Sequence, residues 1–234
     1  MDNSKSDKKV HYELIRKYFI KSAVSKKGYY NSKDINEIKR DIKKRSDWSN
    51  YTSTLNKILK ADKQISNAAD IGCGTGDFIL ELVYCKQFKK IIGIDFLKET
   101  IDIAYENKQY FGNVDFIQGN MLNLPFKNRS FDLTVCLNVL HHIHEDDFAL
   151  AIDELTRITD KYLMIEIRNK NNFLEFYYQK FLLPKFYKDL PQFTNSVVEV
   201  NNLMEKHGFE LKIIRGRIPF VWACRRLVLV YKRC

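Results

Sequence analysis

Three glycines spaced two apart, Gly72, Gly74 and Gly76, sit between the apolar run Ala68-Ala69-Asp70-Ile71 and a second one, Phe78-Ile79-Leu80. A strand that ends in glycines and feeds a helix brings bare backbone close to a ligand, near amides that favour an anionic group. Spacing separates the candidates. A nucleotide phosphate loop needs GxxxxGK[ST], and no Lys-Ser or Lys-Thr pair follows here. A dinucleotide loop is GxGxxG, and here the third glycine comes one residue early. Two acids accompany the loop: Asp70, two residues before Gly72, and Asp95, 23 positions after it at the end of the run Ile91–Ile94. An acid in the second place can accept both hydroxyls of a ribose.

His141 and His142 follow the apolar run 131–137, and an imidazole there could take a proton from a phenol, a carboxylic acid or an enol. The competing reading is a histidine packed or hydrogen-bonded within the turn. His144, Glu145, Asp146 and Asp147 suggest a metal at first sight but read better as the polar start of a helix. Glu166 and Arg168 alternate onto one face of a strand, as an ion pair with neighbours or, for Arg168, as a contact to an anionic substrate. Tyr29, Tyr30, Phe173, Phe176, Tyr177 and Tyr178 read equally as a pocket cover or as helix core.

The elements that must carry these residues follow from the apolar rhythm. Beyond nine polar residues read as frayed, spacing from Val10 to about Leu59 is helical. Ile35, Ile38 and Ile42 form one stripe; Trp48, Tyr51, Leu55, Ile58 and Leu59 form another, with Ser46 or Asp47 as N-cap and a loop over 26–34 between them. From Ala68 onward, short apolar strands alternate with helical segments of 10–15 residues, which implies a parallel sheet covered on both faces. The last helix, over 196–208, precedes two strands, 209–217 and 222–233, joined by Ile218-Pro219-Phe220. So short a join requires an antiparallel pair, because a parallel crossover needs a dozen residues or more.

With 234 residues, 45% of them hydrophobic, the chain suits one cored domain plus an appendage. It contains no apolar run long enough to span a bilayer, and its N-terminus lacks the apolar stretch of a secretory signal. Five scattered cysteines without a CxxC pair argue against a disulfide framework or zinc site and for a reducing, cytoplasmic setting. The net charge of +10 is divided: residues 1–66 carry +9, residues 67–160 carry −7 and residues 161–234 carry +8. A uniformly basic nucleic-acid binder would not look like this, whereas an acidic carrier or an anionic membrane surface is compatible with it. A solvated charge run is the plainer explanation.

Asp70-Ile-Gly72-Cys73-Gly74-Thr-Gly76 resembles motif I of the class I (Rossmann-like) S-adenosylmethionine-dependent methyltransferases, and the likeness runs over residues 67–168. The segments "IIGIDF", "FIQGNMLNLPF", "FDLTVCLNVLHHI" and "AIDELTRITDKYLMIEI" resemble the successive motifs of the small-molecule branch, which includes ubiquinone-biosynthesis-like enzymes. The resemblance implies an α/β fold: a doubly wound, mostly parallel seven-stranded sheet with an antiparallel C-terminal strand. Residues 1–66 would be a helical cap, 67–234 the cofactor-binding domain, and 169–195 a lid inserted after the fifth strand. The implied cofactor is S-adenosyl-L-methionine. Gly72, Cys73, Gly74 and Gly76 would approach its methionine part, Asp70 would brace the loop or reach its ammonium, and Asp95 with Phe96 would meet its ribose side. Asn120, where the family commonly has Asp, and Met121 would meet the adenine; Leu137 and Asn138 would meet the methionine end. His141 and His142 are the candidate bases. Some relatives that methylate phenolic rings carry carboxylates where this chain has Asn138 and His141, so no metal-assisted route is expected.

The acceptor expected on this reading is a small apolar or aromatic molecule, methylated at oxygen or carbon. The motif of base N-methylation is missing at 138–141, which disfavours nucleic acid. An RNA methyltransferase using the basic flanks, a non-catalytic scaffold and an NAD(P) oxidoreductase stand as rivals.

Overall fold

A computed structural model describes residues 3–25, 37, 48–85, 87–106, 108, 111–172, 177, 181, 192–216 and 220–234. Among them, seven strands form one sheet in the order β3-β2-β1-β4-β5-β7-β6. The strands are β1 (Asn67–Ile71), β2 (Lys90–Asp95), β3 (Val114–Gln118), β4 (Phe131–Cys136), β5 (Thr159–Arg168), β6 (Phe209–Arg215) and β7 (Arg226–Arg233). β1 to β5 pair in parallel, and β7 runs antiparallel to both β5 and β6. The chain order reverses between β1 and β4, and such a switch point opens a crevice at the carboxyl ends of the strands.

Each central strand is apolar on both faces, as a parallel sheet covered on both sides requires. Ala68, Ile91, Leu133 and Met164 face one core with α2 (Trp48–Ala61), α3 (Ile79–Tyr84) and α4 (Lys98–Glu106). Ala69, Ile92, Leu163 and Ile165 face the other, with α5 (Glu145–Ile158) and α6 (Val197–Lys206). Helix starts match their local chemistry. Ser196 and Glu199 form a reciprocal capping box on α6. The His144 side chain caps α5 by accepting from the Asp146 amide at 3.4 Å, so the acidic run 145–147 is a helix start.

Three expectations change. The first nine residues are not frayed from Asn3 onward: α1 runs Asn3–Ser25. Lys8 Nζ lies 2.7 Å from Asp147 Oδ1, an anchor invisible to local pattern. The helix expected from Asp77 begins only at Ile79, because the chain turns continuously from Gly74 to Phe78. The last strand starts at Arg226 rather than Trp222, which lies in a 3-10 turn, Val221–Ala223. The Ile35/Ile38/Ile42 stripe, the 26–34 loop and the Ser46/Asp47 cap lie outside the described residues.

Candidate active site

At the carboxyl edge of the sheet, beside β1, β2 and β4, lies a cleft of about 390 Å³. Its walls include Asp70, Gly72, Cys73, Gly74, Asp95, Phe96, Asn120, Met121, Leu137, Asn138 and His142. Among the sequence-derived candidates, Gly76 and His141 are not in that lining.

The glycines divide by function. Gly72 has φ +79°, and a Cβ there would fall 2.1 Å from Val139 Cγ2. A Cβ on Gly76 (φ +93°) would meet the Phe111 ring at 2.8 Å, so this glycine serves packing beneath the loop. Gly74 (φ +55°) has open space where a Cβ would project. A ligand passing close to the backbone therefore has room at Gly74. Gly76→Ala is expected to cost about 1–3 kcal/mol of stability through left-handed strain and overlap. Gly74→Ala should cost about 1 kcal/mol yet weaken S-adenosylhomocysteine binding by about tenfold or more. Thermal unfolding and calorimetry on the two variants check the contrast.

The loop amides are not the orphans expected. Gly72 and Cys73 donate to the Ile94 carbonyl at 2.7 and 2.9 Å, and Gly76 donates to the Cys73 carbonyl at 3.0 Å. The Gly74 amide donates to Asp95 Oδ2 at 2.8 Å. Helix α3 starts too late to leave these amides at its N-terminus, and the turn consumes them instead.

Asp95 closes β2 and ties three elements together. Besides Gly74, the Leu97 amide (2.9 Å) and Thr100 Oγ1 (2.8 Å) donate to its Oδ1. Burial raises its pKa, opposed by the donors of Leu97, Thr100 and Gly74. A carboxylate offers about four acceptor positions, and these donors with the Phe96 amide occupy most of them, so a ribose hydroxyl must compete for its oxygens. The bidentate grip expected for Asp95 therefore requires the Gly74 amide or Thr100 to yield.

Asp70 is 3% exposed, and its carboxyl pKa is pushed up to about 8 by burial first, then by the carboxylates of Asp95 and Asp77. A buried acid in the cleft wall calls for a cation. Sequence reasoning missed Thr75, whose buried Oγ1 has no hydrogen-bond partner and which also lines the cleft. Phe96 projects its ring at 48% exposure beside Asp95, a flat surface suited to a base. Asn120 is already a turn residue, its Oδ1 accepting from the Leu122 amide at 3.0 Å, so its grip on an adenine amino group must share that oxygen. The cleft thus offers a buried acid, an unpaired hydroxyl, an acid at the ribose position and aromatic and thioether surface, a set that fits S-adenosylmethionine.

The far wall comes from α1 and α2: Tyr12, Ile15, Phe19 and Ser22 with Tyr51. Their spacing of three and four residues is a helical stripe, legible as such. Lys8 and Tyr12 fix α1 through Asp147, and His11 Nε2 donates to the His142 carbonyl at 2.7 Å. The Tyr51 hydroxyl donates to fully buried Glu166, and Arg226 Nη1 lies 3.8 Å from the same carboxylate. Arg226 Nη1 also donates to Asn138 Oδ1 at 2.8 Å, bracing a non-glycine residue held at φ +61°. Arg168 is buried and not part of the cleft lining.

The two histidine rings lie with centroids 4.0 Å apart, tilted by 45°, in a 3-10 turn, Leu140–His142. Burial lowers the His142 pKa to about 3, helped by Arg168, His11 and Arg226. His141 is lowered well below its usual value by burial and by His142. Both Nδ1 atoms are buried without a hydrogen-bond partner. Of the expected aromatic cover, Tyr177 is exposed at 49%, while Tyr29, Tyr30, Phe173, Phe176 and Tyr178 lie outside the described residues. Among the described residues no cluster of His, Cys, Asp and Glu could hold a metal ion, and no helix is long and apolar enough to cross a membrane.

Comparison with known proteins agrees with this geometry. The family model described as a methyltransferase domain matches residues 68–161. Demethylmenaquinone methyltransferase of Bacillus licheniformis is 27% identical over 173 residues, 70% of this chain and 72% of that protein. Further demethylmenaquinone methyltransferases are matched over 39–54% of their length, about half or less. Magnesium protoporphyrin IX methyltransferase of Synechocystis PCC 6803, solved with bound S-adenosylhomocysteine, superposes with a TM-score of 0.71 at 18% identity, covering 95% of this chain and all of that one. A SAM-dependent methyltransferase from Methanosarcina mazei gives 0.60 at 21% identity, over 75% of this chain and 96% of its own. At those identities the two structures speak for the fold alone. The matched methyltransferase domain, the sheet order and the cleft together make this chain an S-adenosylmethionine-dependent methyltransferase with a Rossmann-like fold.

Proposed function

We propose that this enzyme methylates an oxygen or carbon of a small apolar or aromatic acceptor. The observation that carries the reading is the wall facing the glycine loop, where Tyr12, Ile15 and Phe19 of α1 line the cleft with Tyr51. Residues 1–66 act as the cap that selects the acceptor over the 67–234 cofactor domain. Residues 169–195, expected as a lid, lie largely outside the described residues.

S-adenosylmethionine supplies an electrophilic methyl group on sulfur. The residues of the chain bind and orient. Asp70 faces the ammonium, and Asp95 with Phe96 takes the ribose and adenine side. Cys73, Gly74, Leu137 and Asn138 line the methionine end, and Asn120 and Met121 the base. An apolar wall keeps water from competing for the methyl group and holds the acceptor in line for displacement.

His142 is the candidate that removes the acceptor's proton, since it lines the cleft and His141 does not. With its pKa lowered to about 3 by burial it is neutral near pH 7, so one ring nitrogen can accept, although as a weak base. Activity should therefore show no inflection near pH 6.5. His142→Gln should lower kcat by about 10²-fold or more with S-adenosylhomocysteine affinity unchanged. An unchanged kcat removes His142 from the chemistry.

The deciding experiment is transfer of labelled methyl to a panel headed by demethylmenaquinone and magnesium protoporphyrin IX, the molecules named by the relatives. Methylation at an oxygen or a carbon of an apolar or aromatic acceptor is the expected result. Turnover confined to polar amines or RNA would refute the reading.

A further inference from the structure

Phe220 and Trp222 are the most solvent-exposed aromatic side chains among the described residues, at 61% and 75%. They do not dangle. Their ring centroids lie 6.3 Å apart, and the turn that bears them is held from beneath. The Ala223 amide donates to the Phe220 carbonyl at 3.0 Å, and Asn172 Nδ2 donates to the Trp222 carbonyl at 2.9 Å. Asn169 Nδ2 donates to the Cys224 carbonyl at 3.1 Å, and Cys224 itself is 3% exposed. Cys224 Sγ packs over Gly216 so closely that a Cβ there would lie 2.2 Å away. The chain thus spends buried hydrogen bonds and a close-packed glycine on a turn whose two largest apolar side chains face water. Isolated exposed apolar residues need no explanation, but two adjacent aromatics on a braced turn mark a contact surface.

Position and charge say what kind. The turn joins β6 to β7 and lies where Arg168 of β5 pairs with Arg226 of β7, the carboxyl edge of the parallel strands. Arg226 reaches Asn138 in the cleft wall, so the aromatic turn and the cleft share one edge of the molecule. Arg215, Arg217, Arg225 and Arg226 flank the turn in the sequence, with no Asp or Glu between them. Aromatic rings, one with a polar N–H, set among cations are the composition that settles at the headgroup level of an anionic bilayer.

We propose that Phe220 and Trp222 form an interfacial anchor that seats the cleft-bearing edge of this enzyme on an anionic lipid bilayer. An apolar acceptor dissolved in the lipid would then reach the cleft without crossing water. That purpose rests on the apolar-acceptor reading; the anchoring itself is measured independently of it.

The full chain is sedimented with vesicles of phosphatidylcholine alone or mixed with phosphatidylglycerol. Binding to the mixed vesicles, weak binding to the neutral ones, and loss by about tenfold or more in a Phe220→Ser/Trp222→Ser double variant are expected. Brominated phosphatidylglycerol should quench wild-type tryptophan fluorescence, and Trp222→Phe should abolish most of that quenching. Calorimetry with S-adenosylhomocysteine should give equal affinity for wild type and variants, which keeps a failed anchor distinct from a failed cofactor site. Equal sedimentation of the double variant overturns the proposal. So does a wild-type dimer, seen by light scattering, that the double variant dissociates, because the aromatics would then serve self-association.

Discussion

Asp95→Ala is expected to abolish measurable cofactor binding at micromolar concentrations, a loss of at least about 100-fold in S-adenosylhomocysteine affinity. On the proposed assignment the carboxylate at the end of β2 meets a ribose hydroxyl, and a hydrogen bond to a charged group contributes about 1.5–3 kcal/mol. Its second task adds to the loss. Oδ2 holds the Gly74 amide and Oδ1 holds the Leu97 amide and Thr100 hydroxyl, so alanine also releases the glycine loop and the start of α4. Apo stability should fall by about 2–4 kcal/mol, from the charge-assisted hydrogen bonds lost. Asp95→Asn separates the two tasks. Its Oδ1 can still accept, and an amide nitrogen placed at Oδ2 meets another N–H donor at Gly74. Calorimetry together with thermal unfolding reads both effects, and an affinity within threefold (about 0.7 kcal/mol) of wild type for Asp95→Ala would reject the ribose assignment.

Much of this arrangement was legible before any coordinates because it is local. The five parallel strands announce themselves as short apolar runs between helical periods, and the short β6–β7 connection forces an antiparallel closure. What local pattern misses is long-range. α1 is helical from Asn3 because Lys8 and Tyr12 find Asp147, about 140 positions away in sequence. The Tyr51–Glu166 hydrogen bond spans 115 positions. Glu166 and Arg168 alternate along one strand, but the partners of Glu166, Tyr51 and Arg226, arrive from other elements. The strand expected from Trp222 fails for a different reason: the chain must first fold over Cys224 and Gly216, and an apolar run alone cannot show which of its side chains turn outward. In the site, residue types pointed to positions that mostly line the cleft, but roles needed geometry. Gly76 looks like Gly74 in sequence and is a packing glycine against Phe111; the consecutive histidines look equivalent, yet only His142 reaches the cleft. Thr75 carried no signal because a threonine between two glycines is unremarkable until its hydroxyl is found buried without a partner.

Asp70→Asn should separate stability from binding, with opposite signs. In the free protein Asp70 titrates near 8, well above an unfolded aspartate, because burial and the neighbouring carboxylates of Asp95 and Asp77 disfavour its charge. The folded state therefore retains a proton that the unfolded chain has lost between about pH 4 and pH 8. This group's contribution is fully present below the unfolded value and is lost as pH rises through 8. Asparagine keeps the shape and cannot ionise. The variant's unfolding temperature should accordingly exceed that of wild type at pH 8, at about 2–4 °C per kcal/mol for a chain of this length, with the gap closing toward pH 4. Binding runs the other way. An ammonium group brought beside Asp70 stabilises the carboxylate and lowers its pKa, so docking of S-adenosylhomocysteine expels a proton at neutral pH. Wild-type affinity should rise as pH goes from 6 to 8, and calorimetric heats should change with the ionisation enthalpy of the buffer. In Asp70→Asn both dependences flatten, and affinity at pH 8 falls by about tenfold or more. A wild type whose binding heat is the same in every buffer at pH 7 would show that no proton leaves Asp70, and the carboxyl would then be a brace of the loop rather than the seat of the ammonium.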